Sequence, residues 1–518
     1  MTPDGVPMSM QRTSRTGDWI RIHARNTPNK PCFVTDTDSY SFAEVNSRVN
    51  RVAHELRRMG VVKGDRVALF ATDSTSYMEV LLACMKLGAV YVPLNYRLAR
   101  PELQTLLRTA EAKVLFFSER YASMVESVDV PTLTAAICFE KSPVADRDYG
   151  QLLATGEDHE IDTVINDDEL MCLAFTSGTT ALPKGVMHHQ RMVKHMTFQC
   201  ILERRLPAEA FHYSPAPLFH AAGMCYVLSG VARGNPSLIL DGFDPATVLK
   251  WLRRDVLHGV FLVPTMIEML LQEPGVEKGD YHNLLSIAYG AAPMSPSLLR
   301  RAMKTFRCDF MNLFGAGTEA GLQTVLTPED HHRALKGHEH LLGSIGKPGM
   351  GVDLRLCDEE LNDVPDGEVG EIVTRSDAVM AGYLNMPEAT NEVLVDGWFR
   401  GGDLARRDEE GYLYLSGRKK DMIIRGGENV YPVEIEQVLS EHPAVLEVSV
   451  VGVPDERWGE IVRAHVVVAP GASFEEDQAR DFCRARLAGY KVPETFQIEP
   501  DLPRNASGKV LKRVLRER

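Results

Sequence analysis

Apolar residues recur three and four positions apart over residues 49–60, and the run stops at Gly60. That pattern predicts an amphipathic helix with a glycine cap. A short buried-strand pattern follows at 65–71, then a second helical pattern at 77–88 and a second strand pattern at 89–93. Residues 170–175 again read as a strand. Strand and helix alternate in this way up to about Gly343, which predicts a parallel, doubly wound α/β arrangement. The pattern then changes. Short apolar stretches at 351–357, 370–374 and 411–415 are broken by Gly, Asp and Pro, and predict a small antiparallel or barrel-like β module. The rest of the chain, helical at 433–439 and strand-like at 446–453 and 461–468, predicts a compact α+β unit.

Composition narrows this picture. A chain of 518 residues is too long for one ordinary core, so two or more domains are expected. No run approaches the roughly eighteen consecutive apolar residues that span a bilayer, so no integral membrane segment is expected. The first residues, MTPDGVPMSMQRTSRTGDW, lack the apolar centre of a secretory signal and read as a short polar arm. Nine scattered cysteines without a CxxC pair indicate free thiols in a reducing, cytoplasmic setting, and argue against disulfides or a zinc site. A net charge of −14 argues against nucleic acid as a partner. It does not exclude a local phosphate site.

The stretch 175–186, Phe-Thr-Ser-Gly-Thr-Thr-Ala-Leu-Pro-Lys-Gly-Val, is the most informative. It follows the strand pattern at 170–175. Four hydroxyls (Thr176, Ser177, Thr179, Thr180), Gly178 and Lys184 fall within nine residues. Backbone N–H groups and hydroxyls can wrap phosphate oxygens while a lysine supplies a point charge. The Gly-Lys-Ser/Thr ending of a Walker A loop is missing. A solvated Ser/Thr/Gly turn has the same composition.

This stretch closely resembles the signature of the adenylate-forming superfamily, which contains acyl- and aryl-CoA ligases, amino-acid adenylation domains and luciferases. Ala181 stands where that signature carries glycine. Further blocks are similar to the family's motifs and occur in its order: 40–44 (Tyr-Ser-Phe-Ala-Glu), 86–94 (Lys-Leu-Gly-Ala-Val-Tyr-Val-Pro-Leu) and 217–223 (Pro-Leu-Phe-His-Ala-Ala-Gly). They continue with 290–293 (Gly-Ala-Ala-Pro), 314–319 (Phe-Gly-Ala-Gly-Thr-Glu) and 398–403 (Trp-Phe-Arg-Gly-Gly-Asp). The last are 417–423 (Gly-Arg-Lys-Lys-Asp-Met-Ile), 427–432 (Gly-Glu-Asn-Val-Tyr-Pro) and 503–509 (Pro-Arg-Asn-Ala-Ser-Gly-Lys). Two more departures stand out: an extra residue between Phe314 and Thr318, and Gly401 in place of a threonine.

The resemblance implies an α/β chain with a large N-terminal domain (1–419) of doubly wound sheets plus a small β-barrel-like module. It implies a small mobile α+β C-terminal domain (420–518), hinged near Lys420. It implies ATP-dependent conversion of a carboxylic acid to acyl-AMP, then transfer to coenzyme A, with ATP, Mg²⁺ and coenzyme A as the cofactors. Thr176, Ser177, Gly178, Thr179, Thr180 and Lys184 would hold the β- and γ-phosphates, Thr318 the α-phosphate and Glu319 the Mg²⁺. Ala291, Ala292 and Pro293 would face the adenine, with Phe314 and Gly315 in the same nucleotide site. Asp403 would accept both ribose hydroxyls, and Arg418 would reach ribose and phosphate. Lys509 would place its ammonium between acyl carboxylate and α-phosphate. His220 would line the passage between acyl group and thiol, or be a core histidine. Gly426 and Gly427 would line a pantetheine channel, and Trp458 would stack on the coenzyme A adenine or simply pack in a core. The resemblance also admits a homodimer.

The acyl segment 217–223 carries no acidic residue, so it offers no partner for a substrate ammonium, and an uncharged acyl or aryl acid is expected. A carrier-protein phosphopantetheine is the alternative acceptor, and a catalytically silent nucleotide-binding protein the alternative of another class. The pairs His188-His189 and His331-His332 lack metal-ligand spacing and read as surface histidines.

Overall fold

The computed structural model describes residues 15–176, 183–292, 294–504 and 510–518. The first helical pattern belongs to a longer helix, Phe42–Arg58, because Ser41 starts it. The Ser41 hydroxyl accepts from the Glu44 N–H, and the Glu44 carboxylate accepts from Ser41 N–H, a reciprocal cap that periodicity alone does not show. The helix Thr75–Leu87 ends at Gly88, which sits at φ +71° in the left-handed region.

The strands Arg66–Phe70, Val90–Pro93 and Ala112–Phe117 are parallel neighbours in a seven-stranded sheet. That sheet ends on one side in the antiparallel pair Leu170–Thr176 and Lys184–His189. A nine-stranded sheet has a parallel centre, with Gly259–Leu262, Ser286–Gly290 and Asp309–Phe314 in adjacent positions. Helices such as Phe42–Arg58, Thr75–Leu87 and Ala221–Arg233 bury apolar residues in a core that also takes Leu69 and Tyr91 from one sheet and Phe33 from the other. The doubly wound expectation holds.

The β module is a five-stranded antiparallel sheet built on Val369–Arg375 and Trp398–Arg407. The strand Leu413–Arg418 pairs with the second of these, and its Leu413 also bridges to Gly346. It packs around a small core of its own with Leu354, Leu356, Ile372, Ala405 and Leu413. The small C-terminal domain has a second five-stranded sheet, centred on Gly459–Val468, with the helices Pro432–Ser440 and Glu476–Arg484 on its core. No described helix is long and apolar enough to cross a membrane. All nine cysteines are free.

One buried charge ties the helices Phe42–Arg58 and Thr75–Leu87 together. Glu79, with a fully buried side chain, accepts from Arg48 Nε at 2.6 Å and from the Tyr149 hydroxyl. Removing one partner of such a pair leaves an uncompensated charge in the core. Arg48→Met should therefore lower stability by about 3 kcal/mol, and adding Glu79→Gln should recover much of it. Urea unfolding of the two variants would check this; equal midpoints for single and double variants would contradict it.

Candidate active site

The hairpin Leu170–Thr176 and Lys184–His189 pairs Thr176 with Lys184 across its open end. Ser177, Gly178, Thr179 and Thr180 lie in the loop between and fall outside the described residues, as do Pro293 and Lys509. The far edge of Lys184–His189 is also bonded. Leu384 N–H donates to Gly185 O (2.8 Å), Met187 N–H to Gly382 O (3.0 Å) and Ala381 N–H to Met187 O (2.9 Å). This brings Tyr383 beside Lys184. The Lys184 ammonium lies 4.7 Å from the centre of the Tyr383 ring. The Tyr383 hydroxyl lies near enough to Glu319 to feel its charge, and burial, followed by that charge, pushes the tyrosine's pKa up. Tyr383 thus joins the lysine of one motif to the carboxylate of another. No single motif pointed to it; the signal was Gly382-Tyr383 followed by Pro387-Glu388, whose role needs the long-range pairing to be seen.

Thr318 and Glu319 sit in a turn after the strand Asp309–Phe314. Glu319 is tied back by Met380 N–H to its carbonyl (2.8 Å). The extra residue in this motif is taken up where Gly317, at φ +52°, bridges to Gly321. Gly315 permits that closure: a Cβ there would lie 2.0 Å from Gly321 O. His188 is fully buried, which corrects its reading as a surface residue. Its Nε2–H donates to Thr318 O at 2.7 Å, and burial lowers its pKa to about 4, so the ring stays neutral. His331 is buried as well, donating from Nδ1 to Thr327 O (2.7 Å) and accepting from the Tyr289 hydroxyl (2.9 Å). His332 alone of that pair is exposed.

Ala291 and Ala292 are exposed at the end of the strand Ser286–Gly290, one register step from Phe314. Ala291 stands at φ +66°, a left-handed conformation that costs an alanine about 1 kcal/mol and is typical of functional turns. Asp403, buried, accepts from Arg418 Nε at 2.9 Å, the two lying opposite each other on adjacent strands. Beside them opens a cavity of about 280 Å³ lined by Gly401, Gly402, Arg418, Lys419 and Lys420. Gly401 departs from the motif for a local reason. A Cβ there would come within 3.0 Å of the Phe399 ring.

Lys420 lies in a 3₁₀ turn, Lys419–Asp421, between the β module and the C-terminal sheet. Arg516 donates to Lys420 O (3.3 Å) and pairs with Asp421 (3.0 Å). Gly426 (φ +60°) and Gly427 (φ +87°) make the two-residue turn of the hairpin Ile423–Arg425 and Glu428–Val430. Trp458 covers Gly426, where a Cβ would lie 2.8 Å from the indole. Trp458 is 38% exposed, with the guanidiniums of Arg425 and Arg457 at 5.5 and 4.7 Å from its ring. It is a surface platform and not a core residue.

His220 caps the N-terminus of the helix Ala221–Arg233, with its ring 4.3 Å from that of Phe219. The preceding peptide is held from both sides. Leu218 N–H donates to Asp73 Oδ1 (2.9 Å), and the Tyr91 hydroxyl donates to Leu218 O (3.3 Å). Tyr77 and Tyr91 share a 2.7 Å hydrogen bond behind it. Burial pushes the Asp73 carboxyl up to about 7, against the lowering by the Leu218 N–H; Asp241 adds to the rise and Arg97 opposes it.

A carboxyl with a raised folded pKa binds its proton more tightly folded than unfolded. The stability this gives is full below the ordinary value of 3.8 and is lost as pH rises through about 7. Asp73 retains some surface, so the expected loss between pH 5 and 8 is only about 1–2 kcal/mol. The side-chain amide of the variant Asp73→Asn would still accept the Leu218 N–H, without charge. Urea midpoints at the two pH values should fall less for Asp73→Asn than for the parent chain; equal slopes would show that Asp73 is not the group responsible.

Comparison with known proteins places this geometry. Residues 20–384 match the family model of the AMP-binding enzymes, and residues 434–509 match that of the AMP-binding enzyme C-terminal domain. A feruloyl-CoA synthase from an Amycolatopsis species is 36% identical over 511 residues, covering 98% of this chain and 99% of the relative. The fatty acid–[acyl-carrier-protein] ligase ScoC of Streptomyces coeruleorubidus is 34% identical over 507 residues, covering 96% of this chain and 95% of the relative. The structure of o-succinylbenzoate CoA synthetase from Bacillus subtilis, in complex with its acyl-adenylate intermediate, aligns with a TM-score of 0.85 at 28% identity over 97% of this chain and 98% of that one. The chain therefore belongs to the AMP-binding enzyme family, the adenylate-forming enzymes.

Proposed function

We propose that this chain activates an uncharged aliphatic or aromatic carboxylic acid as its adenylate and passes the acyl group to the thiol of coenzyme A. The observation that carries the reading is the Lys184–Tyr383–Glu319 cluster, where a cation and a carboxylate from distant motifs are held beside one hairpin loop. In the first half-reaction an oxygen of the acid attacks the α-phosphorus of ATP and pyrophosphate leaves. Negative charge gathers there, and fixed donors and cations lower its energy. Lys184, Thr176, Ser177, Gly178, Thr179 and Thr180 take the β- and γ-phosphates, and Thr318 the α-phosphate. Glu319, beside Tyr383, offers a hard carboxylate oxygen that fits Mg²⁺. When bound, that ion would supply positive charge against the phosphates. Asp403 and Arg418 hold the ribose, beside the cavity at Gly401 and Gly402.

In the second half-reaction the thiol sulfur attacks the acyl carbon and AMP leaves. The domain boundary is placed near Lys420, and the small domain turns there to exchange Lys509 for the Gly426–Gly427 edge. The Arg516 contacts to Lys420 and Asp421 give the small domain a grip on the turn about which it would move. The acyl segment supports an uncharged acid. Asp73, the carboxyl bonded to it, is turned toward the backbone and accepts the Leu218 N–H at Oδ1. The nine free thiols support a cytoplasmic setting.

The Trp458 platform favours coenzyme A over the carrier-protein thiol suggested by ScoC. An indole flanked by Arg425 and Arg457 suits a nucleotide base, which a carrier protein's phosphopantetheine lacks. Gly401 and the residue inserted before Thr318 both fit locally without loss of Asp403, Thr318 or Glu319, which argues against a silent protein.

The direct test is pyrophosphate release across a panel of carboxylic acids, with and without coenzyme A. Release with no acid in an aliphatic and aryl panel would refute the activity. Lys509→Ala should lower adenylate formation by about 10²–10³-fold while thioester formation from supplied acyl-adenylate persists. Parallel loss of both half-reactions would remove Lys509 from that role. Trp458→Ala should raise the KM for coenzyme A about tenfold and leave ATP–pyrophosphate exchange unchanged. An unaltered KM would favour a carrier-protein acceptor.

A further inference from the structure

The helix Ala221–Arg233 leads from the acyl segment into the protein. Ala222 is exposed, although every other residue of this helix as far as Val231 is buried. Tyr226 lies one turn farther along the same face and is 3% exposed. It packs against the parallel centre of the nine-stranded sheet. Phe261, Ala288 and Met311 are register partners on three adjacent strands, and they form one apolar cluster with Tyr226 and Ala216. The rings of Tyr226 and Phe261 are 6.1 Å apart. Residues two apart on a strand share a face, so Gly290 follows Ala288 on the way to the exposed Ala291 and Ala292. Small residues, Ala222 and Gly290, thus stand toward the strand ends, and Tyr226, Phe261 and Met311 stand at depth.

The Tyr226 hydroxyl is buried and has no hydrogen-bond partner among the described residues. The Arg204 guanidinium lies 3.6 Å from the ring centre and donates to Ser229 Oγ (3.2 Å) and His212 Nδ1 (3.1 Å). Burial pushes the hydroxyl's pKa up, and Arg204 opposes that without reversing it, so the proton stays on the oxygen. Arginine carries no acceptor, so it cannot take that proton in a hydrogen bond. What the hydroxyl lacks is an acceptor, and leaving a buried O–H without one is unfavourable. We infer that Tyr226 closes the far end of the acyl site and donates its O–H to an oxygen acceptor on the substrate, at the end remote from the carboxyl. This rests on the proposed acyl activation and narrows the acid. Six positions separate Tyr226 from His220 along the helix, a rise of about 9 Å. That span suits an aryl or short alkyl acid tipped with a carbonyl, ether or hydroxyl oxygen. A long unbranched fatty acid would have to displace the tyrosine.

The test is ATP–pyrophosphate exchange by the full chain and by Tyr226→Phe on matched acids. The 4-methoxy and 4-ethyl derivatives of cinnamic acid, and the same two of benzoic acid, differ within each pair by an ether oxygen in place of a methylene. Hexanoic and dodecanoic acids complete the panel. In the pair of the length turned over faster, the parent should favour the methoxy acid by about tenfold in kcat/KM. Tyr226→Phe keeps the ring against Phe261 and should fold as the parent does, with an equal Tm as the control. It should bring the methoxy acid down to the level of the ethyl acid and leave the ethyl acid unchanged. Dodecanoic acid should be a poorer substrate than hexanoic acid for both proteins. Equal parent values within both pairs would overturn the inference and mark Tyr226 as a packing residue. So would an equal loss for both members in Tyr226→Phe, or turnover of the alkyl acids alone; in each of these cases acyl activation stands. Exchange with no acid of the panel would refute the activity itself, and the inference with it.

Discussion

Lys184 is fixed at the open end of its hairpin because its strand is hydrogen-bonded along both edges. One edge is the hairpin partner Leu170–Thr176, the other the segment 381–384. A lysine on a free edge strand would sample many positions. Here the backbone fixes where its side chain starts, and the Tyr383 ring gives the ammonium a place to rest. His188, on the same strand, reaches the Thr318 carbonyl from the buried side. Threonine, glutamate and lysine therefore hang on one hydrogen-bonded frame, although 134 residues separate Lys184 from Thr318. Charge stabilisation at phosphorus depends on donors that do not reorganise, and this frame supplies that rigidity.

The same logic runs through the other groups at lower density. Asp403 and Arg418 face each other across a strand pair, so sheet register sets their spacing. The Leu218 peptide is gripped at its N–H by Asp73 and at its carbonyl by Tyr91, which aims the start of the helix bearing His220. In each case a side chain with chemistry to perform is set by backbone bonds that are themselves buried, and buried polar groups must be paired. Lys420 is different. It sits in a short turn at the surface, outside any buried frame of this kind, as a pivot requires.

The fold was legible wherever periodicity was local. The strand patterns at 65–71, 446–453 and 461–468 correspond to Arg66–Phe70, Val445–Asp455 and Gly459–Val468. What escaped depends on pairing across the chain. Short apolar runs broken by glycine are the same in an open antiparallel sheet and in a barrel, because closure is a property of first and last strands. The buried state of His188 and His331 was hidden because each is flanked by a more exposed histidine, and only a distant carbonyl or hydroxyl explains its burial. Tyr383 and Asp73 lie outside the motifs that drew attention, and each matters through a partner more than sixty residues away in sequence. Trp458 was undecided between platform and core. Its exposure beside a glycine turn sets it outside the core, and neither feature is readable from neighbours in sequence.

The position of Trp458 also has an optical consequence. The chain has four tryptophans. Trp19 and Trp251 are buried, so they emit from an apolar interior that ligands at the small domain leave untouched. Trp398 lies half-buried under the guanidiniums of Arg355 and Arg375 in the β module. Trp458 alone of the four is both solvent-facing and on the small domain, with two cations against its π face. Its emission is the red component of the intrinsic fluorescence, and anything that covers the indole or draws the arginines away changes that component first. The protein thus carries its own spectroscopic reporter for events at the edge of its smaller domain.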